Sequence, residues 1–135
     1  MSNNVISVVA ALIRDEDGRV LLVRKRGTAT FMQPGGKRDP GESDIQALAR
    51  ELVEELGCRV AESSARPLGV FECAAANEPD HRVCAAVYAV DVAGPILPRA
   101  EIDQVVWVDP RVLPDLPLAP LTRDHVLPLA GIGSR

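Results

Sequence analysis

Residues 36–58 constrain the fold of this chain more than any other stretch, because a glycine-rich loop runs directly into a well-marked amphipathic helix. Ser43 is a favourable N-cap, and Gln46 follows at the spacing of a capping box. Gly57 supplies the residue type that ends helices. Apolar side chains recur with the period of one helical face, at Ile45, Leu48, Ala49, Leu52 and Leu56. We therefore predict a helix over 43–56.

Strand patterns lie on both sides of this helix. Segments 5–14 and 20–25 are rich in Val and Ile, and the polar turn between them predicts a β-hairpin. Residues 27–41 are rich in Gly and Pro and predict a loop with a short strand near Phe31. Further strands are predicted at 68–75, 82–92 and 104–108. Strands flanking a helix indicate an α+β fold with a mixed or antiparallel sheet.

The chain length of 135 residues fits one domain spanning 1–135. Five of the eleven prolines fall in a Pro-rich C-terminal segment, residues 110–135. Because proline interrupts regular structure, we predict only short helical turns there, at 111–113 and 121–127.

Composition excludes several classes of protein. A net charge of -4 argues against a basic surface that binds long nucleic acids, and 3% aromatic residues leave few platforms for base stacking. No apolar stretch approaches the roughly 20 residues of a membrane span. Three cysteines without a CxxC pair argue against a disulfide framework or a structural zinc site. We therefore expect a cytoplasmic protein that does not bind membranes.

Glu51, Glu54 and Glu55 fall within an arc of about 100° on the predicted helix, beside its apolar face. Helix physics alone disfavours this cluster, because like charges three and four residues apart repel and the C-terminal end of the helix dipole is negative. Arg50 reaches only one of them well, Glu54, at i+4. A solvated acidic face is one interpretation. The other is a site for a hard divalent cation such as Mg²⁺.

The spacing of these residues resembles the Nudix box, which reads Gly, five residues, Glu, seven residues, then Arg-Glu-apolar-x-Glu-Glu-x-Gly-apolar. The matching positions are Gly36, Glu42, Arg50, Glu51, Leu52, Glu54, Glu55, Gly57 and Cys58. Only Cys58 departs from the usual aliphatic residue, and cysteine behaves as a small hydrophobe. The resemblance extends over roughly residues 5–110. It implies the Nudix fold, an α/β/α sandwich around a mixed β-sheet.

The resemblance also implies a metal-dependent hydrolase, of MutT-like size, that cleaves a diphosphate linkage in a nucleoside di- or triphosphate derivative. Mg²⁺ is the expected ion, with Mn²⁺ as an alternative. The expected metal ligands are Gly36, Glu51, Glu54, Glu55 and Glu101, and Glu42 and Arg50 are expected to hold the ligand carboxylates. Residues expected to act in catalysis are Glu51, Glu54, Glu101 and Arg50. Glu51 and Glu101 are the candidates for general base, and a solvated loop residue is the alternative interpretation of Glu101.

Substrate contacts are predicted on the two segments before the box. Arg24, Lys25 and Arg26 are candidates for binding substrate phosphates, although strand alternation places Lys25 on the face opposite the other two. Phe31 and Gln33 are candidates for the substrate pocket; Phe31 is also a candidate core residue. The asparagine with which MutT-like relatives read a purine is absent near 119–120. This absence argues against specific hydrolysis of oxidised dGTP.

Other functions stay open from the sequence. One alternative is hydrolysis of a nucleotide sugar or of an RNA 5′ end, and another is a Nudix-fold nucleotide sensor without catalysis. Retention of every charged residue of the box favours catalysis. The expected partner is a small nucleoside diphosphate derivative rather than a long nucleic acid, and a homodimer is possible.

Overall fold

The computed structural model describes residues 4–132. The strands are β1 (Val5–Leu12), β2 (Val20–Lys25), β3 (Phe31–Met32), β4 (Gly35–Gly36), β5 (Arg59–Ala74), β6 (Arg82–Ala93) and β7 (Ile102–Val108). The helices are α1 (Asp44–Leu56) and α2 (Leu127–Ile132), and a π-helical turn, Thr122–Val126, leads into α2.

Among these residues the strands form two sheets. A mixed sheet has the order β4-β1-β6-β5, in which β1 and β6 are parallel and the other neighbours are antiparallel. An antiparallel sheet has the order β3-β2-β7. This arrangement confirms the predicted α+β class and the mixed sheet.

Alternation along β1 divides the core into two layers. Val9 and Ala11 pack in the cluster that contains the apolar face of α1. Ala10 and Leu12 point the opposite way, into the cluster that contains the start of α2. Since each face of the mixed sheet is covered by a helix, the structure is the α/β/α sandwich expected of the Nudix fold.

Helix α1 follows the sequence prediction closely. The Ser43 hydroxyl accepts the Gln46 N–H, and the Gln46 side chain accepts the Ser43 N–H. At the other end, Gly57 adopts the left-handed conformation with a φ of 73° and donates to the Val53 carbonyl. Leu52 is fully buried on the face that packs against the sheet.

The predicted hairpin of the first two strands is wrong in its pairing. Their backbone pairing stays close to the turn: an Arg14–Val20 bridge, a 3.0 Å bond from the Leu21 N–H to the Ile13 carbonyl and a 2.9 Å bond from the Asp15 N–H to the Arg19 carbonyl. Beyond it, β1 and β2 separate into different sheets. The end of β1 and the start of β2 are buried on both faces, which is the pattern of interior strands, so each takes two other neighbours instead.

Three other boundaries differ from the sequence predictions. β5 begins at Arg59 rather than at 68, because register shifts between Ala61 and Arg66 and between Pro67 and Gly69 break its alternation. Residues 111–113 form a turn rather than a helical segment. The C-terminal helical region continues to Ile132, past the predicted end at 127. Within residues 4–132, no helix has the length and apolar character needed to cross a membrane.

Candidate active site

A cavity of about 570 Å³ opens beside the edge of the mixed sheet. One wall carries carboxylates from α1 and from the segment before β7, Glu51, Glu55 and Glu101. The cationic residues Lys25 and Arg26 line the same cavity. Segment 73–78 and three residues near the C-terminus, Ala119, Leu121 and Thr122, also line it. The cavity therefore combines acidic and basic groups, as a site for a metal ion and phosphates requires.

Strand β4 brings the backbone of the glycine loop against the carboxylates of α1. Gly36 pairs with Val9, and Gly35 pairs with Ala10. The Gly35 N–H donates to Glu55 Oε1 at 3.3 Å. A Cβ on Gly36 would lie 2.5 Å from the Glu51 carboxylate, so a larger residue would displace it. Glycine at this position leaves the space in which the Glu51 carboxylate lies against the loop backbone.

Arg50 holds several carboxylates of this region together. Its Nη1 donates to Glu51 Oε2 at 3.1 Å and to Glu54 Oε1 at 3.3 Å. Its Nη2 donates to the Lys37 carbonyl at 2.9 Å, which ties the helix to the glycine loop. Glu42 receives two further bonds from the same guanidinium, and these hydrogen bonds lower the pKa of Glu42 to about 2.

Glu55 and Glu51, which face the cavity, have pKa values shifted in the opposite direction. Burial is the main cause that raises the pKa of Glu55 to about 8; the nearby charges of Glu51 and Glu101 act in the same direction, and the Gly35 hydrogen bond and Lys25 act against it. Burial also raises the pKa of Glu51. Glu55 is thus short of compensating positive charge, which is the condition that a bound cation would relieve.

Comparison with known proteins settles the family. The NUDIX domain model matches residues 4–129. The chain belongs to the Nudix hydrolase family. Among curated relatives, the CTP pyrophosphohydrolase of Escherichia coli K12 is 34% identical over 121 residues, which cover 85% of this chain and 84% of that protein. The 8-oxo-dGTP diphosphatase of Haemophilus influenzae is 44% identical over 61 residues, 42% of this chain and 45% of that protein.

Solved Nudix structures share the whole architecture. The solution structure of the E. coli ORF135 protein has a TM-score of 0.73 and 30% identity, covering 96% of this chain and 90% of that one. The crystal structure of the MutT protein from Methanosarcina mazei has a TM-score of 0.78 and 25% identity, covering 100% of this chain and 99% of that one. The chain spans less than two thirds of the first two curated relatives it matches, 45% and 66% of their lengths.

The donor chemistry of the Nudix box fits a divalent metal ion. Carboxylates and a backbone carbonyl are the ligands that Mg²⁺ prefers, and the Gly36 backbone lies beside the Glu51 carboxylate. In the described range, 4–132, no three carboxylate, His or Cys side chains are grouped closely enough to hold an ion as they stand. The side chain of Glu54 is 55% exposed, lies outside the cavity and pairs with Arg50. Metal binding therefore requires the box carboxylates to converge.

The predicted phosphate-binding cations are divided by the structure. Lys25 and Arg26 line the cavity together, although simple alternation predicts opposite faces. β2 ends at Lys25, so Arg26 lies in the turn beyond the strand, where alternation no longer applies. Arg24 does not line the cavity: it pairs with Asp103 at 3.1 Å and lies over the Phe31 ring. The prediction of a phosphate contact at Arg24 is therefore not supported.

The predicted pocket residues are divided in the same way. Phe31 is 5% exposed and packs in the core cluster that contains the start of α2, so the structure places it in the core and not in the lining of the cavity. Gln33 lines the cavity. Thr122 also lines the cavity and is not among the predicted pocket residues. A single threonine within a Pro-rich segment gives no signal of this position, which depends on how the segment folds back over the sheet.

Proposed function

We propose that this chain hydrolyses a diphosphate linkage in a nucleoside di- or triphosphate derivative with the help of a divalent metal ion. The observation that supports this most directly is the composition of the cavity. Glu51, Glu55 and Glu101 face it together with Lys25 and Arg26. Such a cavity offers carboxylates for a metal ion and cations for the phosphate chain within one volume.

Each residue has a defined part in this proposal. The metal ligands are Glu51, Glu54, Glu55, Glu101 and the Gly36 carbonyl. When bound, Mg²⁺ or Mn²⁺ supplies charge neutralisation at the phosphate oxygens and a more acidic water. Lys25 and Arg26 bind the phosphate chain through charge-assisted hydrogen bonds. Glu51 and Glu101 are the candidates to accept the proton of the attacking water.

Arg50 and Glu42 position these groups rather than contact the substrate. The guanidinium connects the carboxylates of Glu51 and Glu54 to the Lys37 carbonyl of the loop. Its pKa is raised chiefly by its hydrogen bonds to Glu42, so it stays charged at every working pH. A fixed positive charge in this place keeps the helix carboxylates oriented toward the loop.

The relatives favour a nucleoside triphosphate as substrate. The E. coli relative, which this chain matches over most of both lengths, is named a CTP pyrophosphohydrolase. RNA pyrophosphohydrolases match only a shorter part, 51 residues at 41% identity in Pectobacterium atrosepticum.

The three cysteines are free, which supports the proposal of a reducing, cytoplasmic location.

A panel assay tests the proposal. Release of phosphate or pyrophosphate is measured with Mg²⁺ across nucleoside triphosphates, nucleotide sugars, dinucleoside polyphosphates and 5′-triphosphate RNA. We expect turnover of nucleoside triphosphates, lost on chelation and in Glu54→Gln and Glu55→Gln with the fold retained. Glu62→Gln, an exposed strand residue outside the cavity, is the control. Measurable nucleotide binding with no turnover of any substrate would support the sensor and overturn the proposal.

A further inference from the structure

The C-terminal end of α1 carries negative charge that the helix itself does not balance. Its last turn, residues 53–56, contains Glu54 and Glu55 and no basic residue. The free carbonyl groups at this end add to the charge, because the C-terminal end of the helix dipole is negative. A cation from another part of the chain is therefore expected here.

Arg99, in the segment between β6 and β7, provides that cation. Its guanidinium occupies the space in which a side chain at Gly57 would lie: a Cβ on Gly57 would be 2.7 Å from Arg99 Cζ and 2.8 Å from Nε. Gly57 has a φ of 73°, the left-handed conformation of a helix C-cap. The missing side chain at Gly57 thus ends the helix and also lets the guanidinium lie directly against the backbone.

The backbone of the same segment completes the hydrogen bonding of the helix end. The Leu97 N–H donates to the Leu56 carbonyl at 3.1 Å, and the Arg99 N–H donates to the Glu55 carbonyl at 2.8 Å. The last carbonyl groups of a helix have no partner within the helix, so these two bonds attach the segment to α1. Arg99 is therefore held on the helix end through both its backbone and its side chain.

Glu101 follows Arg99 after a single residue, in a tight turn. Ala100 has a φ of 54°, a conformation that residues other than glycine rarely adopt, and the Ile102 N–H donates to the Arg99 carbonyl at 2.9 Å. On its other side, the Glu101 carbonyl accepts the Arg26 N–H at 2.7 Å. Glu101 is thus held between the end of α1 and the end of β2, and its side chain lines the cavity.

We propose that Arg99 is a positioning residue that sets the place of Glu101 relative to the carboxylates of α1, a proposal that rests on the metal-dependent hydrolase proposed above. The guanidinium on Gly57 holds the turn 99–102 against the helix that carries Glu55. Without this contact only backbone bonds hold the turn, and Glu101 is no longer kept at one distance from the other cavity carboxylates. Binding of a divalent metal ion then weakens, because residues that orient metal ligands contribute to affinity.

A Mn²⁺ titration of the chain without nucleotide, followed by electron paramagnetic resonance of the free ion, tests this proposal. We expect Arg99→Ala to weaken Mn²⁺ binding by about tenfold. The direction of the change is decisive, because removal of a nearby positive charge would by itself strengthen the binding of a cation. In a Glu101→Gln background, Arg99→Ala should cause no further loss, because Arg99 acts through that carboxylate.

Arg59→Ala is the matched control. Arg59 is exposed and begins β5 two positions after Gly57, so the variant removes the same charge near the same helix end and leaves the turn that carries Glu101 unchanged. It should bind Mn²⁺ at least as tightly as the parent. Gly57→Ala is an independent variant: its Cβ displaces the Arg99 guanidinium, so it should weaken Mn²⁺ binding in the parent and not in Arg99→Ala.

Arg99 is exposed, so Arg99→Ala should fold; if it does not, Gly57→Ala alone tests the proposal. The proposal is overturned if Arg99→Ala binds Mn²⁺ as tightly as the parent, if it causes a further loss in the Glu101→Gln background, or if Arg59→Ala causes an equal loss. A parent that binds no Mn²⁺ would also overturn it. If no nucleotide is hydrolysed in the panel assay, the hydrolase proposal fails, and the Mn²⁺ titration still decides the role of Arg99.

Discussion

Arg50 donates two parallel hydrogen bonds to Glu42, from Nε to Oε2 at 2.7 Å and from Nη2 to Oε1 at 2.9 Å. This paired geometry matches the planar guanidinium to the planar carboxylate. The same guanidinium also holds Glu51 and Glu54. Glu42 lies in the loop before the helix and does not line the cavity. Through Arg50 it nevertheless orients the carboxylates of the helix.

Arg50→Lys and Glu42→Gln should both impair the metal site while leaving the fold intact. An ammonium cannot reproduce the paired hydrogen bonds, so Glu51 and Glu54 lose their fixed orientation. We expect the Mg²⁺ concentration for half-maximal activity to rise, or kcat to fall, by about 10–100-fold. A Mg²⁺ titration of activity measures this. Arg111→Lys, which breaks an exposed pair with Asp109, is the control, and an equal effect there would contradict the prediction.

Glu55→Gln should raise stability and remove activity at the same time. The pKa of Glu55 is raised to about 8 in the folded chain, from an ordinary value of 4.5. A raised carboxyl pKa means that the folded state binds the proton more tightly, so stability falls as pH rises from about 4.5 to 8. Without metal at pH 8.5, the amide should therefore increase the free energy of unfolding by on the order of 1–3 kcal/mol.

Urea unfolding in a chelator at pH 5 and at pH 8.5 measures this effect. The parent should lose stability between the two values, and Glu55→Gln should lose less. Added Mg²⁺ should stabilise the parent and not the variant, since the variant lacks one proposed ligand. If the variant is less stable than the parent at pH 8.5, the prediction is wrong, because the buried charge of Glu55 then does not destabilise the folded state.

Gly36→Ala should impair activity through a steric effect on one side chain. The added Cβ would lie 2.5 Å from the Glu51 carboxylate, which must move away from the loop. We expect a fall in kcat/KM of at least about tenfold, with a change in the free energy of unfolding of no more than about 1 kcal/mol, because the displaced atoms are the end of a flexible side chain. Gly18→Ala is the control, because its Cβ meets no atom within 4 Å. That variant should lose about 1 kcal/mol through its positive φ and keep full activity.

Leu52→Ala should destabilise the whole chain, because the helix that carries the carboxylates is anchored by its apolar face. Leu52 is fully buried in the core cluster that joins α1 to the mixed sheet. Its truncation should cost about 2–5 kcal/mol in the free energy of unfolding. The next residue, Val53, is 47% exposed, and Val53→Ala should change stability by less than about 0.5 kcal/mol. Equal losses in the free energy of unfolding for Leu52→Ala and Val53→Ala would contradict the prediction.

Local signals made the helix and its carboxylates predictable from the sequence. Ser43 and Gly57 mark the ends of α1 through hydrogen bonds within a few residues, and the apolar period fixes its buried face. The directions of the Lys25 and Arg26 side chains could not be predicted in the same way, because the point at which β2 ends and alternation stops is set by the pairing of β2 with β7. Pairing between distant strands leaves no mark in the residues of one strand.

The contribution of the C-terminal segment to the cavity lining could not be predicted from the sequence, for a related reason. Thr122 reaches the cavity only because residues 117–119 bond to β3, almost ninety positions earlier in the chain. Phe31 illustrates the same point: an aromatic residue next to a glycine-rich loop is as suited to a pocket as to a core. Its burial is decided by the docking of that distant segment.

The bridge between Phe31 and Leu118 joins two parts of the molecule that can change independently. The glycine loop and α1 hold the groups proposed for hydrolysis. The segment that follows Leu118 provides another part of the cavity lining. A substitution in that segment can alter which molecules are admitted without disturbing the carboxylates. Substitutions in the last quarter of the chain can therefore change substrate selectivity. Engineering of a new substrate preference in this protein should start with that segment.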